Sequence, residues 1–137
     1  MSAKFGPGGN SEAFKRDGYS SCLDAPAWVK SQGLDIYEYE AGNGLSAGIA
    51  QLKAIGRAAR EASVGLSYHA PYFISLSGVV EEKRLNSINY IKQSIDAASA
   101  LGADTIVVHC GSCAKISRDE GIPYEAQVRI SVRTYVP

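Results

Sequence analysis

With 137 residues, 45 % of them hydrophobic, the chain is long enough to bury one ordinary core, and its 14 basic residues cancel its 14 acidic ones, which excludes a broadly basic nucleic-acid surface and leaves any DNA contact to a local patch. No apolar run approaches the roughly 20 residues that span a bilayer, and the N-terminal MSAKFGPGG lacks the basic-then-apolar order of a signal peptide, so a cytoplasmic protein with no membrane partner is expected. Three cysteines, an odd number without an export signal, argue against a disulfide framework.

Lys4 to Pro7 reads as a brief extended segment, and Gly8-Gly9-Asn10 as a turn, since it fits neither phosphate-loop pattern. Asp24 stands as a helix N-cap before Ala25 to Lys30, with Pro26 tolerated in the first turn and Gly33 closing the helix. Leu34 to Glu40 is the second strand. Its Tyr37 and Tyr39 alternate with Glu38 and Glu40, so one pair faces the interior and the other packs on helices. A carboxylate at this strand end is a candidate site residue. Ala41 to Gly44 forms the loop beyond it.

Ser46 to Glu61 carries Ile49, Leu52, Ile55, Ala58 and Ala59 at helical steps, which predicts a helix with one buried stripe. Val64 to His69 is the third strand. The clearest helix runs from Glu81 to Leu101, with Leu85, Ile88, Ile91, Ile95, Ala98 and Leu101 on one face and Gly102 as its stop. Thr105 to His109 is the fourth strand. Strands and helices alternating at this spacing predict parallel βα units, the N-terminal half of an eight-stranded (β/α)8 TIM barrel. Ser117-Arg-Asp-Glu120 has the form of a capping box, but Gly121 and Pro123 interrupt the helix it would open, and residues 128–136 alternate like a strand. The expected organisation is therefore a partial barrel over residues 1–120, its fourth unit incomplete, and an atypical tail over 121–137.

The two histidines of the chain both stand where an apolar strand runs out, the edge at which α/β folds place their sites. His69 precedes Pro71, and His109 precedes Gly111. On adjacent parallel strands they would lie side by side at about 5 Å, close enough for their neutral imidazoles to serve one metal ion or a neighbouring pair. Spacing alone assigns no third ligand. Cys110 and Cys113 make a CxxC, for which buried or idle cysteines are weighed against a redox or thiolate metal site.

His69-Ala70-Pro71-Tyr72 with an Ile74-containing loop, and His109-x-Gly111-Ser112 at the next strand end, resemble the HAPY and HPGS segments of the endonuclease IV family, the AP endonucleases of family 2 within the xylose isomerase-like TIM barrels. The resemblance runs from about Lys4 to Glu120 and covers the first half of that family's barrel. It implies a zinc-dependent hydrolase, with manganese as the other candidate metal, that cuts the phosphodiester 5′ to abasic sites in DNA repair. It makes His69 and His109 metal ligands and Tyr72 the residue that enters abasic-site DNA beside the extruded nucleotide. It assigns no catalytic residue. Cys110 stands in place of a proline and Cys113 in place of a histidine, the second loop carries no arginine, and the family's remaining ligands come from later strands. The chain alone is thus expected to lack a complete trinuclear centre and to be inactive.

Similar strand ends occur in sugar isomerases and epimerases of the same barrel superfamily, which gives a second reading: a divalent metal orienting a sugar or sugar phosphate. A third is an assembly module, since a half-barrel exposes sheet edges and should self-associate.

Overall fold

The computed structural model describes residues 3–111 and 116–123. Helix α1 (Glu12–Arg16) opens the chain. Ser11 caps it, its hydroxyl accepting from the Phe14 N–H at 3.2 Å, while Glu12 lies in its first turn and Lys15 and Arg16 in its last. Apolar periodicity over five residues cannot announce such a helix; the cap and the charge order do.

Helix α2 (Ala25–Ser31) has Asp24 at its N-cap position, yet the carboxylate makes no capping hydrogen bond. The expected cap is corrected by its backbone: at φ −86°, ψ −14° Asp24 is already helical, whereas a capping side chain reaches the free N–H groups from an extended backbone. Gly33 closes the helix as expected. At φ +74° its N–H donates to Lys30 O at 3.0 Å and the Leu34 N–H to Val29 O at 3.1 Å, the paired closure of a left-handed helix end.

Strands β1 (Ile36–Glu40) and β2 (Gly65–His69) pair in parallel around helix α3 (Ile49–Ala62), and β2 pairs in parallel with β3 (Thr105–Val107) around helix α4 (Glu81–Leu101), in the sheet order β1-β2-β3. These βα repeats form an open sheet, half of a barrel in architecture. The expected strand at Lys4 to Pro7 is reduced to a single bridge, Gly8 to Glu38. Pro7 has no N–H to donate and the flanking glycines favour no strand, so the segment lies along β1 through a few bonds, among them Asp35 N–H to Phe5 O at 2.8 Å and Gly9 N–H to Glu38 O at 2.9 Å.

The core lies between sheet and helices. Tyr37, Leu66 and Tyr68 meet Val29, Leu52, Ile55, Ala59, Ala98 and Leu101 there, all of them buried. Two helix faces depart from expectation. Ile49 remains 48 % exposed, because a helical side chain leans over the turn N-terminal to its own Cα, and at the first position of α3 that turn lies outside the packed stripe. Helix α4 packs through Ser87, Ser94, Ala97, Ala98 and Leu101, while Leu85 and Ile95 are exposed. The buried serines satisfy themselves on the helix, Ser87 Oγ donating to Lys83 O and Ser94 Oγ to Tyr90 O, each at 2.8 Å, so small side chains let the helix approach closely.

The capping box forms as read. Ser117 N–H and Oγ–H both reach Glu120 Oε2, at 2.9 and 2.8 Å, and the Glu120 N–H returns to Ser117 Oγ at 3.3 Å. The helical turn it opens covers 118–123, and the Gly121 N–H continues it onto Ser117 O at 3.1 Å. The alternating stretch at 128–136 lies outside the described residues.

Candidate metal centre

Strand alternation sorts the side chains. Register pairs Glu38 with Ser67, Glu40 with His69 and His69 with Val107, which puts these residues on the sheet face away from the helices. Tyr37, Tyr39 and Tyr68 take the helix face. Burial pushes all three of their hydroxyls above the ordinary tyrosine pKa, so they stay protonated. The Tyr37 hydroxyl donates to Asn10 Oδ1 at 2.8 Å, which packs the Gly8-Gly9-Asn10 segment as a turn. Glu38 accepts from the Ser67 hydroxyl at 3.0 Å, and the exposed Glu40 carboxylate lies over Gly8 and Gly9.

His69 and His109 meet. Their Nε2 atoms are 3.1 Å apart and their ring centroids 5.0 Å, although His109 lies two residues beyond Val107, the register partner of His69. The strand ends are thus not level, as the repeat suggested. Strand β3 stops at Val107, and the bond from the Leu76 N–H to Cys110 O at 2.7 Å draws the chain beyond it toward the loop after β2. His69 is buried and His109 exposed. His69 Nδ1 is 3.1 Å from Ala70 O, and because a carbonyl only accepts, the proton belongs on Nδ1 and the Nε2 lone pair faces His109.

Two imidazole nitrogens bound to one zinc at about 2.0–2.1 Å and the tetrahedral angle stand about 3.3 Å apart. The 3.1 Å between the two Nε2 atoms matches that edge closely, so the pair fits two corners of a metal site. Among the described residues no group of three histidine, cysteine or carboxylate side chains converges, so the other corners are not supplied by them.

Tyr72 completes an aromatic triad over the pair. Its ring centroid is 4.9 Å from that of His69 and 5.5 Å from that of His109, and the residue is 55 % exposed. The loop after β1 makes room for it: Tyr72 N–H donates to Gly42 O at 3.0 Å, and a Cβ on Gly42 would collide with the Tyr72 ring. Gly44, at φ +99°, lies under Phe73, whose ring meets Tyr90 edge-on at 4.6 Å. The glycines at 42 and 44 are what the sequence offered as a signal of this packing. Cys110 packs on the hydrophobic core, and Cys113 lies outside the described residues.

A family model described as xylose isomerase-like TIM barrel matches residues 26–131. The probable endonuclease 4 of Mycobacterium ulcerans (strain Agy99) is 27 % identical over 115 residues, which are 83 % of this chain and 46 % of that protein. That of Mycobacterium leprae (strain Br4923) is 29 % identical over 91 residues, 66 % of this chain and 36 % of the relative. The chain spans less than half the length of these relatives. Among solved structures, a D-psicose 3-epimerase in the presence of D-fructose matches with a TM-score of 0.71 at 16 % identity, over 82 % of this chain and 42 % of that one. At such identity the likeness is one of fold. No helix among the described residues is long and apolar enough to cross a membrane.

Proposed function

The chain belongs to the xylose isomerase-like TIM barrel family, and on that footing we propose that its protein is a metal-dependent phosphodiesterase that cuts DNA at abasic sites. The observation that carries this reading is the convergence of the His69 and His109 Nε2 atoms, 3.1 Å apart, under an exposed Tyr72. The likeness to proteins named probable endonuclease 4 supports it.

In this reading His69 and His109 hold zinc, with manganese as the other candidate metal. Such an ion supplies Lewis acidity toward a phosphodiester. The protein's own contributions are positional. Ala70 O fixes the His69 tautomer and so aims its lone pair, as a second group usually does for a liganding imidazole. Tyr72, held by Gly42 O, offers a ring face to the space left by a missing base, where stacking replaces what the helix lost. The Ser67 hydroxyl anchors Glu38 on the same face.

The second reading, a sugar epimerase or isomerase, is favoured by one observation: the loop beneath Tyr72 is glycine-rich, Ala41-Gly42-Asn43-Gly44, and brings no cation toward a phosphate. The test is to measure metal content and abasic-site cleavage on this chain and on a form extended to the length of its relatives. Cleavage by the extended, zinc-loaded form supports the phosphodiesterase. An extended form that leaves abasic DNA intact and epimerises a ketose overturns it.

A further inference from the structure

Tyr72 and Phe73 are neighbours in the chain and serve different sides of it. Tyr72 lies over the histidine pair, while Phe73, 48 % exposed, forms one wall of a cleft of about 320 Å³ whose other sides are Ser75, Lys83, Asn86 and Tyr90. A second hollow of about 540 Å³ shares Lys83 and Asn86 and runs on along α4 to Asn89. One wall of the cleft, Phe73, is thus the chain neighbour of Tyr72, the ring that lies over the histidine pair.

Its chemistry is mixed in a particular way. Lys83, Asn86 and Asn89 recur every three residues, so their ammonium and amide donors form one row on α4. Among the described residues the Lys83 ammonium has no ion-pair partner. Phe73 and Tyr90, set edge to face, line the apolar side. Glu82 borders only the second hollow, which leaves the Phe73 end free of carboxylates. Cationic and amide donors opposite aromatic rings suit a sugar-phosphate backbone, with phosphate oxygens on the donor row and deoxyribose or base against the rings.

We infer that the Phe73, Lys83, Asn86 and Tyr90 cleft is a backbone subsite for the DNA strand that leaves the metal centre. The inference rests on the phosphodiesterase reading and names a contact that reading lacks: the cation missing from the loop after β1 is supplied by Lys83 at the start of α4. Its contact is with phosphate, so it adds affinity without discriminating abasic from intact DNA.

The test is equilibrium binding of this chain to a fluorescein-labelled duplex containing one tetrahydrofuran abasic site and to the same duplex intact, across a salt series. Lys83→Gln should weaken both complexes by the same factor and lower the slope of log K against log salt by about 0.7 to 0.9, the loss of one phosphate contact. Lys83→Arg should keep the slope. Lys83→Gln with unchanged affinity and slope overturns the subsite while leaving the phosphodiesterase reading standing, and a Lys83→Arg variant as weak as Lys83→Gln overturns it too, because the side chain then acts by packing. A parent chain that binds neither duplex at low salt overturns the subsite, whereas the phosphodiesterase reading is decided by cleavage with the extended form.

Discussion

His69 Nε2 lies 3.1 Å from His109 Nε2 even though the sheet pairs His69 with Val107, so the meeting is made by the chain after β3 and not by the ladder itself. His109 is exposed and can be replaced without opening the core. His109→Ala should change stability by no more than about 0.5 kcal/mol, the usual range for a surface substitution, while abolishing the heat of zinc binding in a calorimetric titration. Equal zinc binding by parent and variant would remove His109 from the site.

Gly42 governs Tyr72. A Cβ at Gly42 meets the distal atoms of an exposed ring, which can swing aside, so Gly42→Ala should cost about 1 kcal/mol or less in urea unfolding. The displaced ring leaves the histidines, and the preference for abasic over intact duplex should fall with it. A variant that keeps that preference would show that Tyr72 does not set it.

The Ser117 N–H and hydroxyl hold the Glu120 carboxyl below its ordinary pKa. A group whose pKa is depressed on folding stabilises the fold above its unfolded pKa and loses that contribution as pH falls through the lower, folded value. The helical turn at 118–123 should therefore fray on acidification below the normal carboxylate range. Glu120→Gln keeps the reciprocal bonds and should flatten the dependence, which amide exchange at Gly121 reads directly.

Leu85 and Ile95 lie exposed on α4, and β3 pairs with β2 on one side. Apolar surface and strand edges of this kind promote association. Sedimentation of the chain should show species larger than a monomer, and Leu85→Glu with Ile95→Glu should shift the distribution toward the monomer. A compact monomer at all concentrations would contradict this.

Much of the fold was legible in the residues. Apolar runs ending in His69 and near His109, each preceded by a periodic helix, are enough to predict parallel strands, because periodicity reports which faces are buried. What periodicity could not report is which apolar stripe meets the sheet. On α4 the larger Leu85 and Ile95 look like the core face, yet closeness of approach selected Ser87, Ser94 and Ala97. Backbone chemistry decided other details: Asp24 fails as a cap on its dihedral angles, and Pro7 and its glycines reduce the first strand to a bridge. The histidine pair was readable because His69 is the last residue of its strand and His109 stands two residues past the end of the next. The dependence of Tyr72 on Gly42, and of Phe73 on Tyr90, was not, since these contacts join segments that sequence spacing does not relate.

The measurement that bears most directly on the central claim is cleavage of a tetrahydrofuran-containing duplex by the zinc-loaded protein extended to the length of its relatives, with His69→Ala beside it. The account predicts a nick on the 5′ side of the abasic site that disappears in the variant and on chelation of the metal. Intact DNA, together with turnover of a ketose by the same preparation, would contradict it.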